Sequence, residues 1–243
     1  MPLGRLRARD EDVRELMDDP DCDPAMLART YARFDLVNAV VSGRRAIYRR
    51  WIRPRLRAGR AVRLLDVGTG GADLPRRMLH WAARDGGALE VVAIDPEPRA
   101  IAYARAQPAV PGLELRQAAT GDLVADGERF DVIVSNHVLH HLSSRELGAL
   151  LADSEALLAP GGVAVHADIA RSPLAYAGFA AGTLPFEPTL LRGTYIRADG
   201  LTSIRRSHTP AELAAAVPPG WGVRRGVPFR LELVRAQPVR PRP

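Results

Sequence analysis

Five polar side chains, Asp66, Asp95, Asp122, Asn136 and Asp168, each stand where an apolar run of the chain ends, and His137, His140 and His141 follow the fourth. From Asp66 the chain reads Asp-Val-Gly-Thr-Gly-Gly-Ala-Asp, and Leu74, Met78, Leu79 and Trp81 then resume at helical spacing. That is strand, tight turn, helix. Gly68 and Gly70 let the backbone bend sharply and meet a ligand with no Cβ in the way, and the helix start offers free N–H groups. The chemistry is nucleotide binding, although a dinucleotide enzyme uses nearly the same turn. Twenty-five residues beyond Gly70, Asp95 closes the run Leu89–Ile94 and could accept two hydrogen bonds from a ribose diol. The carboxylate of Asp122, ahead of Leu123, could meet an adenine amino group.

Histidine suits proton removal at neutral pH, and three lie together after Asn136. On a helix, the three- and four-residue steps from His137 put all three on one side, with Leu139 and Leu142 on the other. His137, next to Asn136, is the first choice for a base. The same spacing could chelate zinc, but no cysteine or clustered carboxylate completes such a site, so no metal is assigned. Asp168 shares a strand face with His166 by the two-residue period; His166 reads as a satisfied core residue and Asp168 as facing a substrate. Arg171 could bind an acidic or enolate oxygen or pair with Asp168. His208 reads as surface.

Alternating strands and helices must position these groups from Arg63 to Asp168, which calls for a parallel sheet with the site beyond the strand C-termini. Each polar tip could instead cap a helix, but five converging on one sheet edge favour a site. Upstream, the chain splits into two helical pieces: Asp10–Asp19, a short acidic one, and a helix that Asp23 and Pro24 open and Ser42 and Gly43 break. A further helix over residues 44–53 ends at Pro54. Residues 171–207 form a long aromatic, Gly- and Pro-rich stretch without a clear helix, expected to act as a lid. Thr209-Pro210-Ala211-Glu212 opens the last helix. Strands at 221–225 and 229–235 follow, then a disordered tail over 237–243.

In order and spacing, the residues from Leu64 to Asp168 resemble the class I S-adenosylmethionine-dependent methyltransferases. The glycine loop, the acids Asp95 and Asp122, the segment Asn136-His137-Val138-Leu139-His140-His141-Leu142 and the turn Leu157-Leu158-Ala159-Pro160-Gly161-Gly162 match that family's motifs; Ala72 stands where a third glycine is usual. The resemblance implies an α/β, Rossmann-like, seven-stranded, mostly parallel sheet with an antiparallel last strand and an N-terminal helical cover over residues 1–60. It implies a core over 61–236 and S-adenosylmethionine held by Asp66, Gly68, Gly70, Asp95, Pro96, Asp122, Leu123 and Asn136. Tyr31, Asp168, Arg171, Tyr176 and Phe179 would contact a small-molecule methyl acceptor, and His137, His140 or His141 would be the base, although members often carry His-His here with no catalytic role. The quinone-biosynthesis and polyketide-tailoring branch is the nearest in kind. Its members suggest O-methylation of an aromatic or polyketide-type hydroxyl, with C-methylation of a quinone-like ring as the near alternative.

The 243 residues suffice for one large α/β domain with attached helices. The single Cys22 excludes an internal disulfide, and no run is long enough to span a membrane, so a cytoplasmic protein is expected. The formal charge of +6 invites RNA as a partner. Every basic residue is arginine, however, and the densest cluster, from Arg44 to Arg60, reads first as a solvated helix face. An RNA methyltransferase, an RNA-binding module and a non-catalytic cofactor-binding protein are the readings from other classes. A homodimer is left open.

Overall fold

The computed structural model describes residues 6–56 and 60–237; the tail from Pro238 and Arg57 of the arginine cluster lie outside the described residues. Seven strands form one sheet: β1 (Val62–Val67), β2 (Leu89–Asp95), β3 (Leu113–Gln117), β4 (Phe130–Asn136), β5 (Leu158–Ile169), β6 (Gly222–Gly226) and β7 (Arg230–Ala236). Their order is β3-β2-β1-β4-β5-β7-β6. Neighbours from β3 to β5 pair in parallel, while β7 runs antiparallel to both β5 and β6. The chain leaves β1 toward β2 and β3 and then returns to the other side at β4, so a crevice opens beyond the carboxyl ends of β1 and β4.

Strand register makes those ends level. Val67 of β1 sits beside Ile94 of β2 and Ser135 of β4, and Asn136 sits beside Ala167 of β5. The glycine loop, Asp95, Asn136 and Asp168 therefore leave the sheet together. Both faces of the sheet are covered, which is why the strands read as nearly continuous apolar runs. Leu65, Val67, Val92 and Ile133 pack in one cluster, and Leu64, Val91, Val132 and Val134 in the other.

Helices α1 (Pro24–Val41), α2 (Arg44–Ile47), α3 (Asp73–Arg84), α4 (Pro98–Ala106), α5 (Thr120–Ala125) and α6 (Ser144–Leu157) surround the sheet. Asp23 caps α1 through the N–H groups of Ala25 and Met26, and Gly43, at φ 56°, ends it. The helix expected over 44–53 holds as α2 for one turn and then widens into a π-type turn, Tyr48–Ile52. The acidic piece Asp10–Asp19 is not a helix: only Leu16–Asp18 make a 3-10 turn. This strap is sewn down instead. Arg206 donates to the carbonyl of Val13, and the Asp199 carboxylate accepts from the N–H groups of Leu16 and Met17.

Residues 171–207 also depart from expectation, because they hold α7 (Pro173–Thr183) and α8 (Ile196–Arg206). The run Ala175–Gly182 has no charged residue and is mostly Ala and Gly, with Tyr176 and Phe179 between them, so no alternation of polar and apolar positions announces α7. Its start is fixed by the Ser172 hydroxyl, which accepts from Leu174 and Ala175. Gly200 then lets α8 approach, since a Cβ there would meet the Phe179 ring at 2.4 Å. Helix α9 (Pro210–Ala216) begins as read, with Thr209 and Glu212 in a reciprocal cap. Among the described residues no helix is long and apolar enough to cross a membrane.

The irregular first turn of β5, where its register with β4 shifts, is closed by backbone. A Cβ on Gly162 would lie 2.8 Å from the Ala159 carbonyl oxygen and 3.1 Å from that of Phe130. Gly162→Ala is expected to cost about 1–3 kcal/mol through overpacking, lowering Tm by several degrees in a thermal melt.

Candidate active site

Beyond the sheet edge lies a cavity of about 470 Å³. The glycine loop forms its floor. Gly68, Gly70 and Ala72 all take left-handed φ angles, 69°, 53° and 61°, so Ala72 adopts without glycine the conformation that the usual third glycine would allow. A Cβ on Gly68 would come within 2.5 Å of Val138, so glycine there lets the segment after β4 close onto the loop. The Asp95 carboxylate accepts from the N–H of Gly70 at 2.8 Å and from that of Glu97 at 3.0 Å. Each oxygen keeps a further lone pair free. Burial raises the Asp95 carboxyl above its ordinary value. Asp66 is buried beneath the loop, where desolvation pushes it up to about 8.

Pro96, Asn136, His137, His140, His141, Tyr31 and Phe179 all line the cavity, together with Gly68 and Gly70. Asn136 Oδ1 is buried without a partner. Tyr31, on α1, stacks edge-on to Phe34 at 5.9 Å, and burial pushes its phenol up. Asp122 and Leu123 do not reach the lining: the Asp122 carboxylate accepts from the Ala119 N–H and caps α5. Tyr176 is also outside it. Arg171 turns away altogether. Its side chain is fully buried, pairs with Glu212 and donates to the Ser207 carbonyl, so it meets neither Asp168 nor a ligand. His208 is buried rather than on the surface. His166 is the satisfied core residue expected, bonded to Ser135 and Ser154.

The three histidines do not share a helix. His137 takes φ 60°, a conformation that ends any helical run, and only Leu139–His141 coil into a 3-10 turn. This separates their roles. His137 Nδ1 lies 3.6 Å from Asp168 Oδ1, while its Nε2 is buried with no partner. His140 is locked. Its Nδ1 lies 2.9 Å from Asp168 Oδ1, its backbone N–H donates to Asp168 Oδ2, and its Nε2 is 3.1 Å from Glu15 Oε1. His141 Nδ1 sits 3.3 Å from Asp18, and its ring lies 4.2 Å from that of His140.

Glu15 was invisible to sequence reasoning, as were Asp18, Asp199 and Ser203, which also line the cavity. They come from the strap and from α8, far from any motif. The only hint was an unexplained acidic stretch. Ser203 donates to Glu15 at 2.6 Å, completing a chain Ser203–Glu15–His140–Asp168 whose last three members are buried. Burial opposes every charge in it, yet the charges sustain one another. Against burial, Asp168 and Glu15 raise His140 to about 10; His140 in turn holds Glu15 down to about 2 and Asp168 well below the carboxylate range.

The arginine cluster is partly absorbed into internal pairs. Arg44 is buried between Asp35 and Asp73, Arg53 meets Asp85 at 2.9 Å, and Arg60 pairs with Asp131.

Residues 64–162 match the methyltransferase-domain family. The chain is 36% identical over 136 residues to a ubiquinone biosynthesis O-methyltransferase of Cereibacter sphaeroides, covering 55% of this chain and 52% of that protein. An Azorhizobium caulinodans protein of the same name is 29% identical over 66% of this chain and 58% of its own length. The chain thus spans only about half the length of the curated relatives it matches. Among solved structures, a plantazolicin methyltransferase in complex with SAH aligns at TM-score 0.62 and 12% identity, over 92% of each chain. Human N-acetylserotonin methyltransferase aligns at TM-score 0.59 and 13% identity, over 89% of this chain and 57% of that one. The chain shares its fold with these two solved methyltransferases.

His140 titrates near 6.5 when unfolded and near 10 in the fold, so its stabilisation is complete below about 6.5 and is lost as pH rises through 10. Glu15 contributes fully above about 4.5 and loses its contribution as pH falls through 2. His140→Gln leaves two buried carboxylates without their cation. In urea unfolding it is expected to cost about 3–5 kcal/mol at pH 6, and the gap to wild type is expected to narrow as pH rises toward 10.

Proposed function

We propose that this chain is an S-adenosylmethionine-dependent methyltransferase that methylates a hydroxyl of a small, largely apolar aromatic or polyketide-type metabolite. The observation that carries the reading is the meeting, in one cavity, of a glycine-loop cradle gripped by Asp95 with a histidine, His137, whose Nε2 is unpartnered. The residues present fit the cofactor. The free lone pairs of Asp95 suit a ribose diol, Asn136 Oδ1 lacks a donor, and Gly70 leaves open backbone beneath Tyr31. The described part of residues 1–60 and the 171–207 insertion act as the cover: Tyr31, Phe34 and Phe179 face the cavity from them.

When bound, S-adenosylmethionine supplies a methyl group on a sulfonium, open to in-line attack by a nucleophile. The protein then has to hold the acceptor oxygen in line and take its proton. His137 is the base in this reading. Asp168 stands 3.6 Å from its Nδ1, close enough to tighten onto an Nδ1–H and leave the Nε2 lone pair toward the acceptor. His140, held as imidazolium between two carboxylates, has no lone pair to give and serves to fix Asp168. The cover excludes water, and Phe34, Val37 and Ile196 supply apolar walls for an aromatic body. The ubiquinone O-methyltransferase name of the relatives favours oxygen over carbon as the acceptor atom.

S-adenosylhomocysteine at a hundred times its Kd should stabilise the protein by about 2.7 kcal/mol, a melting shift of roughly 5–10 °C. Asp95→Ala should abolish the shift; a shift that survives it would remove Asp95 from the cofactor site. His137→Gln should keep the shift but lower kcat about 10²–10⁴-fold in a methyl-transfer assay with phenolic acceptors. A new C–CH₃ rather than O–CH₃ resonance in the product would overturn oxygen methylation.

A further inference from the structure

The charges around the cavity are lopsided. Six carboxylates line it, Glu15, Asp18, Asp73, Asp95, Glu97 and Asp199, against one arginine among the described residues, Arg99. Arg99 is not available to a ligand, because its Nε and Nη2 pair with Glu97 at 2.9 and 3.0 Å and its Nη1 donates to the Asp19 carbonyl. Arg44 balances Asp73 from behind at 3.1 Å. His141 is 3.3 Å from Asp18. The single imidazolium of His140 serves two carboxylates, Glu15 and Asp168, both at least nine-tenths buried. Asp95 and Asp199 have only neutral donors: Gly70 and Glu97 N–H for one, Leu16 and Met17 N–H for the other. The cationic residue that sequence reasoning placed here, Arg171, is buried against Glu212 and away from the cavity.

From this surplus of carboxylates we propose that the acceptor carries no anionic group: the cavity takes uncharged or cationic hydroxyl-bearing aromatics and rejects those bearing a carboxylate, sulfonate or phosphate. The proposal rests on the methyltransferase reading and names the substrate class of that same site. Asp199 already feels the potential an incoming anion would meet. Burial, and after it the charges of Glu15 and Asp18, raise its carboxyl to about 7. An acidic acceptor has no arginine fork to repay its desolvation, and its charge is opposed from several sides. A cationic sulfonium, by contrast, suits the same field.

Three catechols of nearly equal shape test this: catechol itself, its 4-(2-aminoethyl) derivative and 3,4-dihydroxybenzoate. Their binding to wild-type protein saturated with S-adenosylhomocysteine would be measured by calorimetry at pH 7.5 and low salt. The expected order is amine at least equal to catechol, with the benzoate at least tenfold weaker than either, and the gap shrinking in high salt. Asp18→Asn, at a side chain 40% exposed and outside the buried chain, should narrow the gap, and Asp18→Lys should narrow it further. Benzoate binding as tight as catechol, or a gap unmoved by both Asp18 variants, overturns the charge rule. The S-adenosylhomocysteine melting shift reads the cofactor site by itself. If it persists while discrimination is absent, the charge rule alone has failed; loss of the shift removes the methyltransferase reading beneath it.

Discussion

A protonated histidine buried between two carboxylates is the contact on which the site depends. His140 lies between Asp168, at the end of β5, and Glu15, on the strap, and all three are buried. Removing any one charge from such a place leaves another unpaired, so the three stand or fall together. Because Glu15 belongs to the strap, the same contact ties the N-terminal segment to the sheet edge. Because Asp168 is also the neighbour of His137, it fixes the carboxylate beside that ring as well. The strap, the segment after β4 and β5 are in this way one electrostatic unit.

Geometry at the segment after β4 separates residues that look equivalent in the chain. Were residues 137–141 helical, all three imidazoles would face one way and compete for one role. The left-handed turn at His137 sends its ring toward the cavity, and the tight turn behind it buries His140 while leaving His141 half-exposed. That backbone is held by packing: Val138 fills the space above Gly68 that a side chain would otherwise take. The glycine loop thus shapes the site twice, by opening backbone toward a ligand and by admitting Val138.

The cavity's acidity follows from the same arrangement. Carboxylates gather on it from the glycine-loop helix, the end of β2, the strap and α8, whereas the arginines nearby turn outward or serve backbone carbonyls, as Arg9 and Arg206 do at His140. A chain with a formal charge of +6 encloses a pocket of the opposite sign. Net charge describes the surface, and the pocket's field is set by the few groups that face it.

The sequence by itself determined the sheet, its glycine loop, Asp95 at the second strand tip and the alignment of Asn136 and Asp168. These are local signals: apolar runs of strand length, glycines where the chain must turn, and polar residues where runs stop. Parallel pairing then brings the tips together with no further information. Tertiary structure alone decided that Glu15, Asp18, Asp199 and Ser203 share the cavity, that Arg171 and Asp122 leave it, and that α7 and α8 occupy the insertion. The strap has no periodicity, and the run Ala175–Gly182 in α7 has no charged residue and is mostly Ala and Gly, so neither shows an alternation of polar and apolar positions. Their positions come from long-range contacts, Glu15 with His140 across 125 residues and Leu16 with Asp199 across 183, and such contacts leave no trace in spacing.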